Sequence, residues 1–174
     1  MAEEEMLIVV DEQDNIIRHA TRHECHEKKL LHRIIEVLVF KDNTYKEVLI
    51  QKRSSTKKVE HNMFALTEGH VGKGETYSLA ARREVAEELF CEKELPSDVE
   101  IEELFKISKL EGDPTFMQVF RIIHPGPFNI DLVEVGEVFF QDINKVIKNI
   151  TESPDEYTHS CRYVLEEYQN KFMN

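Results

Sequence analysis

Cysteine is scarce in this chain. Its three residues, Cys25, Cys91 and Cys161, are odd in number, widely spaced and free of any CxxC pairing. That pattern excludes a disulfide framework. Long apolar runs are also missing: nothing approaches the roughly 20 residues that span a bilayer. The opening Met1-Ala-Glu-Glu-Glu5 is acidic where a signal peptide would be basic. The expectation is a cytoplasmic chain with no membrane partner. Positive charge is in short supply as well, with 22 Lys and Arg against 34 Asp and Glu and a net charge of −12. A nucleic-acid backbone needs a basic surface, so long nucleic acid is excluded as a partner. A small phosphorylated substrate is not excluded, because a bound divalent cation reverses the local sign of an acidic pocket. There is no internal repeat and no low-complexity linker.

What is present fits one domain over residues 1–174, long enough to enclose a full core. Apolar residues at 41% and charged residues at 32% are globular values. Leu7–Val10, the turn Asp11–Asn15 and Ile16-Ile17 predict an N-terminal hairpin within residues 6–20. Thr21–Lys29 reads as a polar helix. Ile34–Phe40 and Glu47–Lys52 read as strands, and Arg53–Asn62 as a polar, basic loop. Phe64–Thr67 is short and apolar and leads into a loop over Glu68–Glu75. A helix then starts near Thr76 or Ser78, with Leu79, Ala80 and Val85 facing inward. Val99–Leu110 and Thr115–Ile123 are strands joined by the turn Glu111–Pro114, and Val133–Phe140 is another. Asp142 caps a helix over Ile143–Ile150, and Asp155 or Thr158 starts a last helix ending near Phe172. Strands interleaved with a few helices predict an α+β layered sandwich.

One stretch carries chemistry. Glu84, Glu87 and Glu88 stand at i, i+3 and i+4 of the helix that follows the glycine-rich loop, so they project from one face. Like charges placed so closely repel, and clustered carboxylate oxygens are what Mg2+ or Mn2+ prefers. The order Gly69, Glu75, Arg83-Glu84-Val85, Glu87-Glu88 resembles the box of the Nudix hydrolases, here over residues 69–91. The family's usual Gly two places after the paired Glu is Phe90 in this chain.

The resemblance implies an α/β/α sandwich around a mixed β-sheet, with a core at about residues 30–171. It implies a Mg2+- or Mn2+-dependent hydrolase that cleaves a phosphoanhydride bond in a small nucleoside-diphosphate-like compound, and in some relatives a homodimer. Carried over residue by residue, Glu84, Glu87 and Glu88 become metal ligands, with the Gly69 carbonyl a further candidate. Arg83 holds Glu75 and orients the glutamates, and one glutamate or a later carboxylate takes the proton from water. Glu134 lies where the family often has an extra acidic residue, as a fourth ligand or the base; an exposed strand carboxylate is the alternative. Arg53 lies where such proteins direct a cation at phosphate, and His70 stands beside the metal, in reach of phosphate. Lys57 and Lys58 read as ordinary loop charges. Phe64, Phe116 and Tyr77 are rings that could stack on a base, with core packing as the other use of Phe64 and Phe116.

A narrower similarity points to the isopentenyl-diphosphate isomerase branch, carried by His26, Leu30-Leu31-His32-Arg33, Gln51-Lys-Arg-Ser54 and Gly69-His70. In the isomerases such histidines belong to a separate metal site, which assigns His26, His32 and His70 as candidate ligands. The isomerases also place a catalytic Cys immediately before the Gly. This chain has Glu68 there and keeps every box carboxylate, which favours hydrolysis. A non-catalytic nucleotide-binding module is the third alternative.

Overall fold

The computed structural model describes residues 4–110 and 113–173. Residues 1–3 lie outside these, as do Glu111 and Gly112 of the turn expected between the two late strands. The chain opens on an antiparallel hairpin, β1 (Met6–Val10) and β2 (Ile16–Thr21). Asp11 makes the turn, accepting from the backbone N–H groups of Gln13 and Asn15 at 2.9 Å each, the local bonding that suits Asp to turns. Helix α1 (Arg22–Glu27) follows, capped by the Thr21 hydroxyl, which accepts from the Glu24 N–H.

The remaining elements are β3 (His32–Phe40), β4 (Glu47–Arg53), β5 (Phe64–Ala65), β6 (Thr67–His70), α2 (Tyr77–Phe90), β7 (Glu102–Leu110), β8 (Asp113–Ile123), β9 (Val135–Asp142), α3 (Ile143–Glu152) and α4 (His159–Phe172). The aliphatic run of β3 is buried on both faces, as befits a central strand. It pairs in parallel with β8 from His32↔Thr115 to Phe40↔Ile123, and antiparallel with β6 from Ile34↔His70 to Val37↔Thr67. β4 runs antiparallel to β9, and β7 to β8. Parallel and antiparallel neighbours coexist, so the sheet is mixed.

Alternation along β3 divides the core. Ile35, Val37 and Val39 pack with Ala80, Ala81, Val85, Ala86 and Leu89 of α2. Ile34, Leu38 and Phe40 pack with Ile143 and Val146 of α3 and Cys161, Val164, Leu165 and Tyr168 of α4. Helices on both faces of a mixed sheet give the expected α+β class and α/β/α layering. No helix among the described residues is long and apolar enough to cross a membrane.

Three local departures from the sequence reading have physical causes. Glu68, Gly69 and His70 are strand rather than loop: pairing with β3 overrides their weak intrinsic preference. Leu79 points outward and is 54% exposed. The phase of α2 is set by the alanines and Val85, which also brings Glu84 and Glu88 toward the sheet. Phe90 stays helical, its ring against His124 and Phe128, and the left-handed residue is Cys91 at φ 51°. The C-terminal carbonyls of α2 are satisfied from a distant loop. The Asn129 and Asp131 N–H groups donate to the Leu89 and Glu88 carbonyls at 2.9 and 3.0 Å. A glycine is not needed where another segment supplies the cap.

Candidate metal and phosphate site

α2 crosses β6 at Gly69. A Cβ at this position would stand 2.1 Å from Cδ and Oε1 of Glu84, so only a residue without a side chain lets the carboxylate lie there. Arg83 is the hub around it. Its Nε and Nη2 donate to the two oxygens of Glu75 at 2.7 and 3.0 Å, and Nη2 also reaches the His70 carbonyl at 3.0 Å. Nη1 donates to Glu84 at 2.7 Å and to Glu87 at 3.3 Å. A planar guanidinium is suited to such forked contacts. Glu75 is held further by the Gly72 N–H at 2.8 Å. Glu88 accepts from Gln51 Nε2 at 3.1 Å, and the same nitrogen donates to the Thr67 hydroxyl.

The three carboxylates share a helix face but not an environment. The side chain of Glu84 is 14% exposed and that of Glu87 is 50% exposed. Burial raises Glu84 to about 7 although Arg83 pulls it down. Burial, with the charge of Glu84 added, drives Glu88 well above the usual carboxylate range against the pull of Gln51. Burial would raise Glu75 too, but the bonds from Arg83 and Gly72 outweigh it and hold it low. Two enclosed carboxylates that resist ionisation, over a glycine shaped to admit one of them, fit a hard divalent cation.

The other face of β6 differs. Cross-strand partners share a face, so His70 lies beside Ile34, and Glu68 beside Glu36. His26 arrives from α1. Its ring centroid is 5.3 Å from those of both His32 and His70, which are 5.4 Å apart, and one nitrogen of each imidazole lies within 4.8 Å of the others. The His32 Nδ1 is 2.8 Å from the Leu30 carbonyl, which assigns its proton to that nitrogen. Burial, then the Arg22 charge and the neighbouring imidazoles, lower His70 to about 2. Neutral rings are the ligand form.

Beside them, Glu68 accepts from the Ser160 hydroxyl at 2.5 Å and faces Arg53 Nη1 at 3.7 Å. Glu36 is fully buried next to it, and burial together with the charge of Glu68 holds its carboxyl far above the ordinary range. A cavity of about 1150 Å3 opens on this side, with His26, His32, His70, Arg53, Glu68 and Glu134 among its lining. The box glutamates do not line it; Gly69 does.

Glu134 precedes β9 and is ion-paired with Lys57, so the loop cation read as ordinary is tied to a candidate site residue. Phe116 is core, Phe64 packs on Phe139 and Tyr157, and Tyr77 bonds Asp14. None of the three lines the cavity. Sequence points to Gln51 only as part of the Gln51–Ser54 similarity, with no role attached, and does not mark Glu36 or Ser160. A lone Glu inside an aliphatic run is the available signal for Glu36. Ser160 has none, because its partner is distant in the chain.

The model of the NUDIX domain matches residues 31–164. Isopentenyl-diphosphate Delta-isomerase 2 of Photorhabdus laumondii is 30% identical over 160 residues, covering 89% of this chain and 87% of that protein. Isopentenyl-diphosphate delta-isomerase 2 of Homo sapiens is 52% identical over 59 residues, 31% of this chain and 25% of the human protein, so the chain matches only a quarter of that length. Among solved structures, DR0079 of Deinococcus radiodurans superposes with a TM-score of 0.81 at 19% identity, covering 94% of this chain and 98% of that one. That likeness extends the agreement to the whole fold. With the domain match spanning most of the sequence and Glu84 of the box lying over Gly69, the chain belongs to the Nudix family.

Proposed function

We propose that this chain is a metal-dependent hydrolase that cleaves a phosphoanhydride bond in a small diphosphate-linked compound, nucleoside-diphosphate derivatives included. One observation carries the reading. The carboxylate set is complete, and Glu84 lies over a glycine whose Cβ would occupy the same space. Glu84, Glu87 and Glu88 would hold Mg2+ or Mn2+, with the Gly69 carbonyl as a further donor. When bound, the cation neutralises charge on diphosphate oxygens and lowers the pKa of a water.

The protein's own groups do the rest. Arg83, clamped by Glu75, bonds both Glu84 and Glu87 and fixes their orientation. Arg53 and His70 line the cavity on the other side of β6, where they would hold the rest of the substrate. Glu134 adds a carboxylate once Lys57 is drawn to the incoming anion, and serves as ligand or base. The test is phosphatase-coupled phosphate release from a panel of nucleotide sugars, dinucleotides, nucleoside triphosphates and prenyl diphosphates with Mg2+ or Mn2+. Release that needs the metal supports the reading, and turnover indifferent to chelator contradicts it.

The imidazole triad supports a second reading, an isomerase-like enzyme acting on isopentenyl diphosphate. Glu68 in place of the isomerases' Cys counts against it. Conversion to dimethylallyl diphosphate, followed by proton NMR, decides between them.

A further inference from the structure

The N-terminal arm, β1–β2–α1, is partly a unit of its own. Leu7, Val9, Ala20 and Cys25 form a small separate core, while Ile8 and Val10 turn toward the core under α2. Its ladder with the central strand is short: β1 pairs with β3 at Val9↔His32, and an isolated bridge joins Leu7 to Gly72. Backbone bonds add Val10 N–H to the Leu31 carbonyl at 2.9 Å, Lys73 N–H to the Met6 carbonyl at 2.8 Å and Ile8 N–H to the Val71 carbonyl at 3.4 Å. α1 has six residues, too few to hold a helix unaided. Yet α1 carries Arg22, Cys25 and His26 to the cavity wall. Where His26 stands therefore depends on how the arm lies.

At the far end of the arm, the hairpin turn is already closed by Asp11. The Asp14 N–H belongs to that turn, donating to the Asp11 carbonyl at 3.1 Å, but its side chain bonds outside the hairpin. Its carboxylate accepts from Arg33 Nε at 2.7 Å, Lys106 Nζ at 2.6 Å and the Tyr77 hydroxyl at 3.1 Å, and its carbonyl accepts from Arg33 Nη2 at 2.6 Å. These donors come from β3, β7 and α2. Arg33 and Lys106 also approach the Tyr77 ring, at 5.0 and 4.7 Å from its centroid. The Asp14 side chain is 12% exposed, and one carboxylate neutralises two cations there. Removing it takes away the carboxylate that pairs with both of them. Arg33 is the immediate neighbour of His32 in β3, so the bond that holds the turn acts one residue from the triad.

We propose that Asp14 is a positioning residue, a latch that seats the N-terminal arm and thereby sets His26 against His32 and His70. The proposal rests on reading the three imidazoles as a metal site. Asp14 has φ 64°, a left-handed conformation that Asn also tolerates. Asp14→Asn thus removes the charge while keeping the turn.

The test compares parent, Asp14→Asn and His26→Ala in two measurements: amide hydrogen exchange over residues 6–27, and Co2+ binding read from its visible absorption. The latch predicts about tenfold faster exchange in α1 and about tenfold weaker Co2+ binding in Asp14→Asn, the size seen when a group supporting a metal ligand is lost. It also predicts that saturating Co2+ restores protection of α1. Faster exchange with unchanged Co2+ affinity would overturn the positioning role, since Asp14 would then merely stabilise the hairpin. Unchanged exchange would overturn the latch itself. A parent protein that takes up no Co2+ would overturn the metal reading of the triad, while the exchange data still judge the latch.

Discussion

Strand β6 has two chemically unlike sides. Toward α2, Gly69 lies beneath Glu84, and the side-chain ligand candidates there are carboxylates bonded to Arg83 or Gln51. Toward α4, Glu68 and His70 lie among imidazoles, a buried Glu36 whose carboxyl is held well above the usual range by burial, and the large cavity. The first side suits a hard cation with oxygen ligands. The second suits a softer ion or the body of a substrate. Two successive residues, Gly69 and His70, therefore meet different surroundings because side chains alternate across a strand.

The sharpest way to break this comparison is to neutralise one box carboxylate. Glu88→Gln should remove about 4 kcal/mol of transition-state stabilisation, roughly a thousandfold in rate, measured as metal-dependent phosphate release. Equal turnover would transfer the chemistry to the imidazole side. Gly69→Ala comes next. The added Cβ collides with the mobile end of Glu84 rather than with backbone, so the side chain moves aside and the fold survives. Mg2+-dependent rate should fall roughly a hundredfold, as when metal ligands lose their support, with little change in Tm. A large drop in Tm instead would mean that Gly69 serves packing alone. Arg83→Lys keeps the charge and loses the fork onto Glu75, and about a tenfold loss of rate is expected.

The smallest effect is on pH dependence. Glu84 has a folded value of about 7 against 4.5 when unperturbed. The metal-free fold therefore holds an extra proton between them. Its contribution to stability is complete below about pH 4.5 and is lost as pH rises through about 7. A bound cation substitutes for that proton, so the rise in Tm caused by Mg2+ should grow from about pH 5 to about pH 8. Glu84→Gln should flatten the trend, and a parent trend that is already flat would detach Glu84 from the metal.

What the sequence made legible was local. The box could be read because a helix places i, i+3 and i+4 together whatever surrounds it. β3 could be read because Ile34–Phe40 is a mostly apolar, β-branched run, and the caps at Thr158 and Asp142 follow from their own side chains. Contacts between distant segments were not legible. Asp14 meets Arg33, Tyr77 and Lys106 across 19, 63 and 92 residues, and Lys57 meets Glu134 across 77. Nothing in either neighbourhood marks such a partner. The Glu68–His70 strand was hidden for a related reason, since β3 rather than its own residues makes it a strand.

The most direct test of the central claim is the initial rate of phosphate release as a function of Mg2+ concentration, parent beside Glu88→Gln, on the best substrate of the panel. A saturable Mg2+ requirement in the parent and near-complete loss in the variant is the predicted result. Release that is independent of Mg2+, or undiminished in Glu88→Gln, would contradict the assignment of hydrolysis to the carboxylate side of β6.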